Sequence, residues 1–485
     1  MFRLLQSLVD RPFLALEAVL GIHHDLVKLL ACFLLSYPLA SIMKRLPERP
    51  ALRSFYSLVC GLVYLLFIFH LEKGVVALFI DIFFTYYVSK YVRSPKMPWI
   101  VFFFDLGHTL LNHIDRYLYP SVGVDITATQ MVLCMKLTAF AWSVSDGRRP
   151  KEDLTPYQTQ RVIYKHPPML HFLGFSFFFP SLLAGPAFDY STYKSFITLE
   201  MFEKPKHPNS PRIPENWGPA LVRCIIGLIW LTIFVIGSEK FPLNSLLTPK
   251  FYDVSMAKRF GYSSLVAILA RAKYYGAWEM TDGACVLSGI GYNGKDSHNV
   301  PRWDRVKNID PMGFEFAPNI RAALEAWNMN TNKWLKNSVY LRVPMKNGRP
   351  TFKNTFFAFL TSAVWHGVYP GYYLTFLTAA FIQYIARYIR RYIRPFFLQP
   401  DMKTPGPFKW FYDIVGIVTV NLTMSYLVIS FLLLDLKRSL FVWGKLYFAV
   451  HLYIILAMVL INSPVRGFLA RKVKERSALA SQKKL

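Results

Sequence analysis

The sequence predicts an all-α, polytopic membrane protein, on three observations. Of its 485 residues 53% are hydrophobic and 16% aromatic, while only 18% are charged, against about 25% in soluble globular chains. The apolar residues are gathered into long runs that a soluble core would not need. Those runs are also too long and too evenly apolar for the alternating segments of about ten residues that build a spanning β-barrel.

A helix needs about 20 mostly apolar residues to cross the hydrocarbon layer. Taken in order, such runs fall near 26–42, 54–70, 74–92, 97–113, 126–144, 168–186, 217–238 and 262–288, and then near 352–365, 371–386, 410–434 and 440–462. The stretches 126–144 and 352–386 are ambiguous, so the expectation is about 11 transmembrane helices with amphipathic helices at the interface. Residues 1–11 lack the unbroken apolar core and small-residue cleavage site of a signal peptide. Insertion is therefore expected to start with the first span.

The net charge is +27, from 56 Lys and Arg against 29 Asp and Glu. The cations sit in short loops between apolar runs and in the tail, which fits cytosolic loops facing an anionic leaflet and speaks against nucleic acid. The loop between the spans ending near 386 and starting near 410 carries Arg387, Arg390, Arg391 and Arg394. The tail carries Arg466, Arg471, Lys472, Lys474 and Arg476. Two spans separate these regions, so both can face the cytosol, with the C-terminus there too. The final Lys-Lys-Leu matches neither a peroxisomal nor a dilysine signal.

The five cysteines (Cys32, Cys60, Cys134, Cys224 and Cys285) are odd in number and lie in apolar stretches. They suggest neither a disulfide framework nor a metal-ligand spacing, and no metal is expected. The chain therefore divides into one integral-membrane domain, 1–465, and a basic cytosolic tail, 466–485. Within the domain, the polar stretch 289–353 carries many cations with Trp303, Trp327 and Trp334, and is expected at the cytosolic interface. The Pro-rich segment 204–214 is expected to be an extended connector. No internal repeat of the kind common in transporters is visible.

Two constellations could carry chemistry. In Trp365-His366-Gly367-Val368-Tyr369-Pro370-Gly371 a histidine sits at membrane depth beside helix-breaking residues. Ionisable groups there are costly and functional by default, and a desolvated imidazole favours the neutral form that accepts a proton. A core histidine bonded to a nearby carbonyl is the equal alternative on residue type alone. In Trp327-Asn328-Met329-Asn330-Thr331-Asn332-Lys333-Trp334, Asn328 and Asn332 would share one helical face. That carboxamide could orient a hydroxyl or carbonyl, or the segment could be an interfacial helix with its indoles at headgroup level.

Together these runs resemble the membrane-bound O-acyltransferase (MBOAT) superfamily, which carries an asparagine in a Trp-Asn context and, a few tens of residues later, a histidine in Trp-His-Gly. Here 38 residues separate Asn328 from His366. The runs from Trp365 to Phe376, Lys273-Tyr274-Tyr275-Gly276-Ala277-Trp278 and Gly289 to Gly294 resemble the lysophospholipid acyltransferase branch. Residues 125–133, 136–143 and 182–190 resemble its broad-specificity fungal members. The likeness covers about residues 25–465. The Phe-Tyr-x-Asp-Trp-Trp-Asn run typical of sterol and diacylglycerol acyltransferases is missing, and Asn328 stands where some protein-acylating members have Asp.

The resemblance implies an MBOAT-type bundle in the endoplasmic reticulum membrane. It implies acyl transfer from acyl-CoA, arriving from the cytosol, to the free hydroxyl (chiefly sn-2) of a lysophospholipid arriving from the bilayer, in phospholipid synthesis and remodelling. No cofactor is implied beyond acyl-CoA as co-substrate. His366 would be the base and Asn328 its catalytic partner, with Trp327, Asn332, Trp365, Lys273 and Tyr274 binding substrate. Lys273, Arg302 and Lys333 are candidates for the CoA phosphates. The alternatives are another acceptor (sterol, diacylglycerol or protein) or a non-enzymatic transporter or scramblase.

Several lookalikes carry less. Gly289-Ile290-Gly291-Tyr292-Asn293-Gly294 matches a dinucleotide fingerprint but does not lie between a strand and a helix, so a tight turn is expected. No Gly-x-Ser-x-Gly or His-Glu-x-x-His motif occurs. Asn421 is formally a glycosylation acceptor inside a span. Asp81, Asp105 and Lys136 lie in apolar runs and are expected to pair with one another.

Overall fold

A computed structural model describes residues 2–120, 123–203, 212–345 and 348–482. Most of the Pro-rich connector, Lys346 and the terminal Lys483, Lys484 and Leu485 lie outside the described residues. Among the described residues the architecture is helical, and the β-pairing is limited to two isolated bridges, Lys295–Pro301 and Leu398–Pro405.

Among the described residues five helices are long and apolar enough to cross a bilayer: His24–Arg45, Pro50–Ile68, Glu72–Tyr91, Trp217–Leu247 and Lys409–Leu433. A sixth candidate, Leu436–Lys445 with Ala449–Ile461, is bent by 77°. The chain is thus a multi-pass membrane protein. Other helices of spanning length carry polar residues: Met97–Leu118, Thr127–Asp146, Met256–Ser288 and Pro370–Tyr392. Thr127–Asp146 shows how that is tolerated, since most of its residues are buried by protein, Gln130 and Lys136 among them.

Several expectations need correction. The run 168–186 is two short helices, Met169–Ser176 and Phe179–Leu182. Phe178 between them is extended and Pro180 sits in the first turn of the second; a proline suits the first turn of a helix and disfavours its interior. The run 352–365 belongs to a 15-residue helix, Phe352–His366, about 22 Å long, short of the ~30 Å hydrocarbon layer. In the polar stretch, Trp303 and Trp334 are buried in protein, so those indoles are core groups.

The chain divides into two compact units, Met1–Thr232 with Lys273–Ile309, and Ile233–Ala272 with Asp310–Leu485. In the first, phenylalanines 172, 175, 177, 178 and 179 form a buried cluster with Phe140, Tyr190 and Tyr193. Helix Phe2–Leu20 is tied to the same unit by Asp10, which meets Lys28 at 2.7 Å and His70 at 3.0 Å, and by Glu17, which meets His24 at 2.7 Å.

The intramembrane charges of this unit do not pair with one another as expected. Asp81 takes His108 Nδ1 at 2.6 Å and Gln130 Nε2 at 2.8 Å. Asp105 accepts from Thr85 at 3.0 Å. Lys136 donates to the Phe175 and Ser176 carbonyls and lies over the Phe175 and Phe188 rings. Asp81 meets a histidine, and Asp105 and Lys136 meet a hydroxyl and carbonyls, so none of the three relies on another as its partner. The glycine-rich run is the turn expected: Gly289 and Gly294 have φ of 102° and 74°.

In the second unit a buried ion pair ties three segments. Arg271, 1% exposed at its side chain, holds Glu315 with Nε and Nη2 at 2.9 and 2.8 Å. Asn421 Nδ2 donates to the same Glu315 carboxylate at 2.8 Å, so the formal glycosylation acceptor is a half-buried tether. The Arg271 guanidinium also lies over the Phe314 ring. Arg271→Met leaves Glu315 buried without its cation and is expected to cost about 3–5 kcal/mol. The check is the thermal unfolding midpoint in detergent, which Glu315→Leu on top should partly restore; an unchanged midpoint in the single variant would refute the assignment.

Candidate active site

His366 is the last residue of helix Phe352–His366. Gly367 ends the helix at φ 121°, a conformation L side chains rarely adopt. Its N–H closes on the Ala363 and Val364 carbonyls at 3.2 and 3.1 Å. Pro370 then starts helix Pro370–Tyr392, as its fixed φ and missing N–H suit the first turn. The two helices pack against each other.

The hairpin is clamped onto helix Lys409–Leu433. Gly371 N–H donates to Leu434 O at 2.7 Å, and a Cβ on Gly371 would lie 2.1 Å from Ser430 O. Thr375 Oγ1 meets Leu427 O at 3.1 Å and Ser430 Oγ at 2.7 Å. This close approach brings Phe431 to the imidazole.

Four rings surround His366: Trp365 and Phe376 at 4.7 Å, Phe431 at 5.2 Å and Tyr372 at 5.6 Å between centroids. Its Nδ1 lies 2.6 Å from the Ser362 carbonyl, one turn back. A carbonyl can only accept, so Nδ1 carries the proton. In the neutral ring Nε2 then holds the lone pair, and the second nitrogen is fixed as the acceptor. A carbonyl-bonded histidine and a proton-accepting Nε2 are compatible in this ring.

Asn328 does not lie within a helix. Ile320–Ala326 ends at Trp327, and Met329–Leu335 begins after Asn328. Asn328 itself is left-handed, φ 41° and ψ 55°, and its side chain makes no capping bond to the helix it precedes. Asn is among the few residues that visit this region readily, and such backbone strain gathers at functional sites. The break is held on both sides. Trp327 packs on Phe314 at 5.0 Å, below the Arg271 guanidinium, and Asn332 Nδ2 spans the break to Leu324 O at 3.0 Å.

The Asn328 segment reaches the His366 helix through Trp334, whose ring lies 5.8 Å from Trp365. Trp365 is 4% exposed, which makes it a wall between the two motifs. Of the expected site residues, His366, Asn328, Trp327, Asn332 and Trp365 fall in one unit, and Lys273 and Tyr274 in the other. Lys273 lies over the Tyr274 ring at 5.0 Å. Phe431 and the Arg271–Glu315 pair were not foreseen. Arg271 in an apolar run was a usable signal; Phe431 had none, since its role depends on how two distant helices meet.

The chain matches the family model described as "MBOAT, membrane-bound O-acyltransferase family" over residues 116–429, a stretch that includes both Asn328 and His366. It is 58% identical over 470 residues, 97% of this chain and 92% of the other, to the lysophospholipid acyltransferase of Schizosaccharomyces pombe. It is 43% identical over 489 residues, 96% of this chain and 79% of the other, to that of Saccharomyces cerevisiae. Identity to membrane-bound glycerophospholipid O-acyltransferase 1 of Mus musculus is 29% over 468 residues, 93% of this chain and 92% of the other.

Two glycines set the hairpin, and each can be tested. Gly367→Ala forces a side chain into a disfavoured backbone region at about 1–3 kcal/mol. Gly371→Ala pushes the hairpin off helix Lys409–Leu433 and is expected to cost more. Thermal unfolding should rank Gly371→Ala below Gly367→Ala and both below the parent. Parent-like stability for Gly371→Ala would show the clamp is not there.

Proposed function

The chain belongs to the membrane-bound O-acyltransferase family, and from that premise we propose that it is an acyl-CoA-dependent lysophospholipid acyltransferase, adding the acyl group chiefly at the free sn-2 hydroxyl. The observation that carries the chemistry is the His366 Nδ1 bond to Ser362 O. It leaves Nε2 as the proton acceptor within a ring of aromatic side chains.

The proposed reaction needs no covalent enzyme intermediate, because a thioester is already an activated acyl donor. His366 Nε2 takes the proton from the lipid hydroxyl as its oxygen attacks the thioester carbonyl carbon. The tetrahedral intermediate collapses, the carbon–sulfur bond breaks, and the imidazolium returns the proton to the CoA thiolate. The Asn328 carboxamide holds the hydroxyl or donates to the oxyanion. Trp365, Tyr372, Phe376 and Phe431 restrict water, which would otherwise hydrolyse the donor. Trp327 walls the Asn328 turn, while Asn332 positions it.

Acyl-CoA, with its phosphates, would come from the cytosol and the lysophospholipid from the bilayer. Lys273, Arg302 and Lys333 remain the proposed phosphate contacts, with Tyr274 beside Lys273. One structural contact supports placing both basic regions on one face: Arg476 Nη2 in the tail helix donates to Leu398 O at 2.6 Å. By charge bias that face is cytosolic, and the membrane proposed is the endoplasmic reticulum. The proposed organisation remains one integral-membrane domain, 1–465, with a basic tail.

The test is acyl transfer by microsomes containing the chain, given labelled oleoyl-CoA and a panel of lysophospholipids, cholesterol, diacylglycerol and peptide. Labelled phospholipid is the expected product. His366→Ala should lower the rate by about 10²–10⁴ with parent-like thermal stability, and Asn328→Ala by about 10²–10³ with a somewhat lower unfolding midpoint, since alanine takes the left-handed conformation less readily. Full activity in a normally inserted His366→Ala variant would end the proposal.

A further inference from the structure

Helix Pro370–Tyr392 has a second face. Tyr372 and Phe376 face His366. Leu377, Thr378 and Phe381, turned by about 100–200° around the axis, line a groove of about 660 Å³. The other wall is helix Ala449–Ile461, through His451, Ile454 and Met458, with Asn462 at its end. From His451 to Asn462 the groove follows about 16 Å of helix. Its volume lies in the ~300–1,000 Å³ range of small-ligand sites.

The groove is apolar along its length. Its polar end is satisfied internally: His451 Nδ1 meets the Tyr426 hydroxyl at 2.9 Å and Nε2 meets Thr378 Oγ1 at 3.4 Å. Beyond Phe381 and Asn462 the chain that forms both walls turns basic. There helix Pro370–Tyr392 carries Arg390 and Arg391 in its last turn and packs on helix Val465–Gln482, whose second residue is Arg466. Tyr388 lies about two turns beyond Phe381 on the same helix, its ring 4.7 Å from Tyr392. The Tyr388 hydroxyl is buried and has no hydrogen-bond partner among the described residues. A buried phenol in that state calls for an acceptor, and where the packed segments carry Arg390, Arg391 and Arg466 the best acceptor is an anionic oxygen.

We propose that this groove holds one phosphate-headed membrane lipid, its acyl chain between helices Pro370–Tyr392 and Ala449–Ile461 and its phosphate on Tyr388 and Arg466. A free phosphate would not fill the apolar length, and a diacylglycerol would leave the phenol and guanidinium unmatched. Because the groove lies on the face of the helix turned away from His366, this lipid is not the acceptor undergoing acylation. The inference stands apart from the acyl-transfer reading.

The test is native mass spectrometry of the full chain in detergent, titrated with palmitoyl-oleoyl phosphatidylglycerol or with diacylglycerol of the same chains. One tightly held phosphatidylglycerol is expected, and no diacylglycerol. Tyr388→Phe with Arg466→Gln, which removes no internal hydrogen bond of Tyr388, should weaken retention about tenfold. His366→Ala should retain the lipid. Equal retention of diacylglycerol, or unchanged retention in the double variant, would overturn the phosphate site. Loss in His366→Ala would place the lipid in the acyl-transfer site instead and equally overturn it.

Discussion

The bond from His366 Nδ1 to the Ser362 carbonyl depends on where a helix stops. A histidine in mid-helix would have its ring crowded by the next turn, and its nitrogens would be set by whatever packed there. At the last position, with Gly367 bending the chain away, the ring can fold back on its own i−4 carbonyl at 2.6 Å. That bond fixes the tautomer, and the tautomer fixes which nitrogen can accept a proton. Gly367, Pro370 and the Gly371 clamp on Ser430 and Leu434 all serve the same geometry, because each determines where the helix ends and which rings meet the imidazole.

The Asn328 turn is held by a different kind of force. A left-handed asparagine between two short helices is strained and would relax if its neighbours allowed it. Trp327 is held on Phe314, Phe314 lies under Arg271, and Arg271 is locked to Glu315, which Asn421 also binds. A buried ion pair contributes little net stability but is costly to break. It therefore suits a place where position matters more than energy. In the other unit the buried Asp81, Asp105 and Lys136 are satisfied by side chains and carbonyls, and so act as struts between helices.

Helix Pro370–Tyr392 links the two inferences. One face closes the aromatic wall around His366, and the other lines an apolar groove. An occupant of the groove would press on the helix that carries Tyr372 and Phe376.

Local sequence was enough for the helical membrane class, because long apolar runs have no other solution in a bilayer. It was also enough to single out His366 and Asn328 as candidates, because their Trp-His-Gly and Trp-Asn contexts are contiguous. It was not enough wherever partners come from distant parts of the chain. The run 168–186 is as apolar as a span, but its prolines and packing break it into short buried helices. Trp303 and Trp334 look interfacial until neighbouring segments bury them. Asp81, Asp105 and Lys136 announce buried charge, yet only the fold decides that they meet a histidine, a threonine and backbone carbonyls instead of one another. Which residues exist was written in the chain; which atoms meet was decided by packing, since a hydrogen bond is won by the partner a few ångströms away in space, whatever the distance along the sequence.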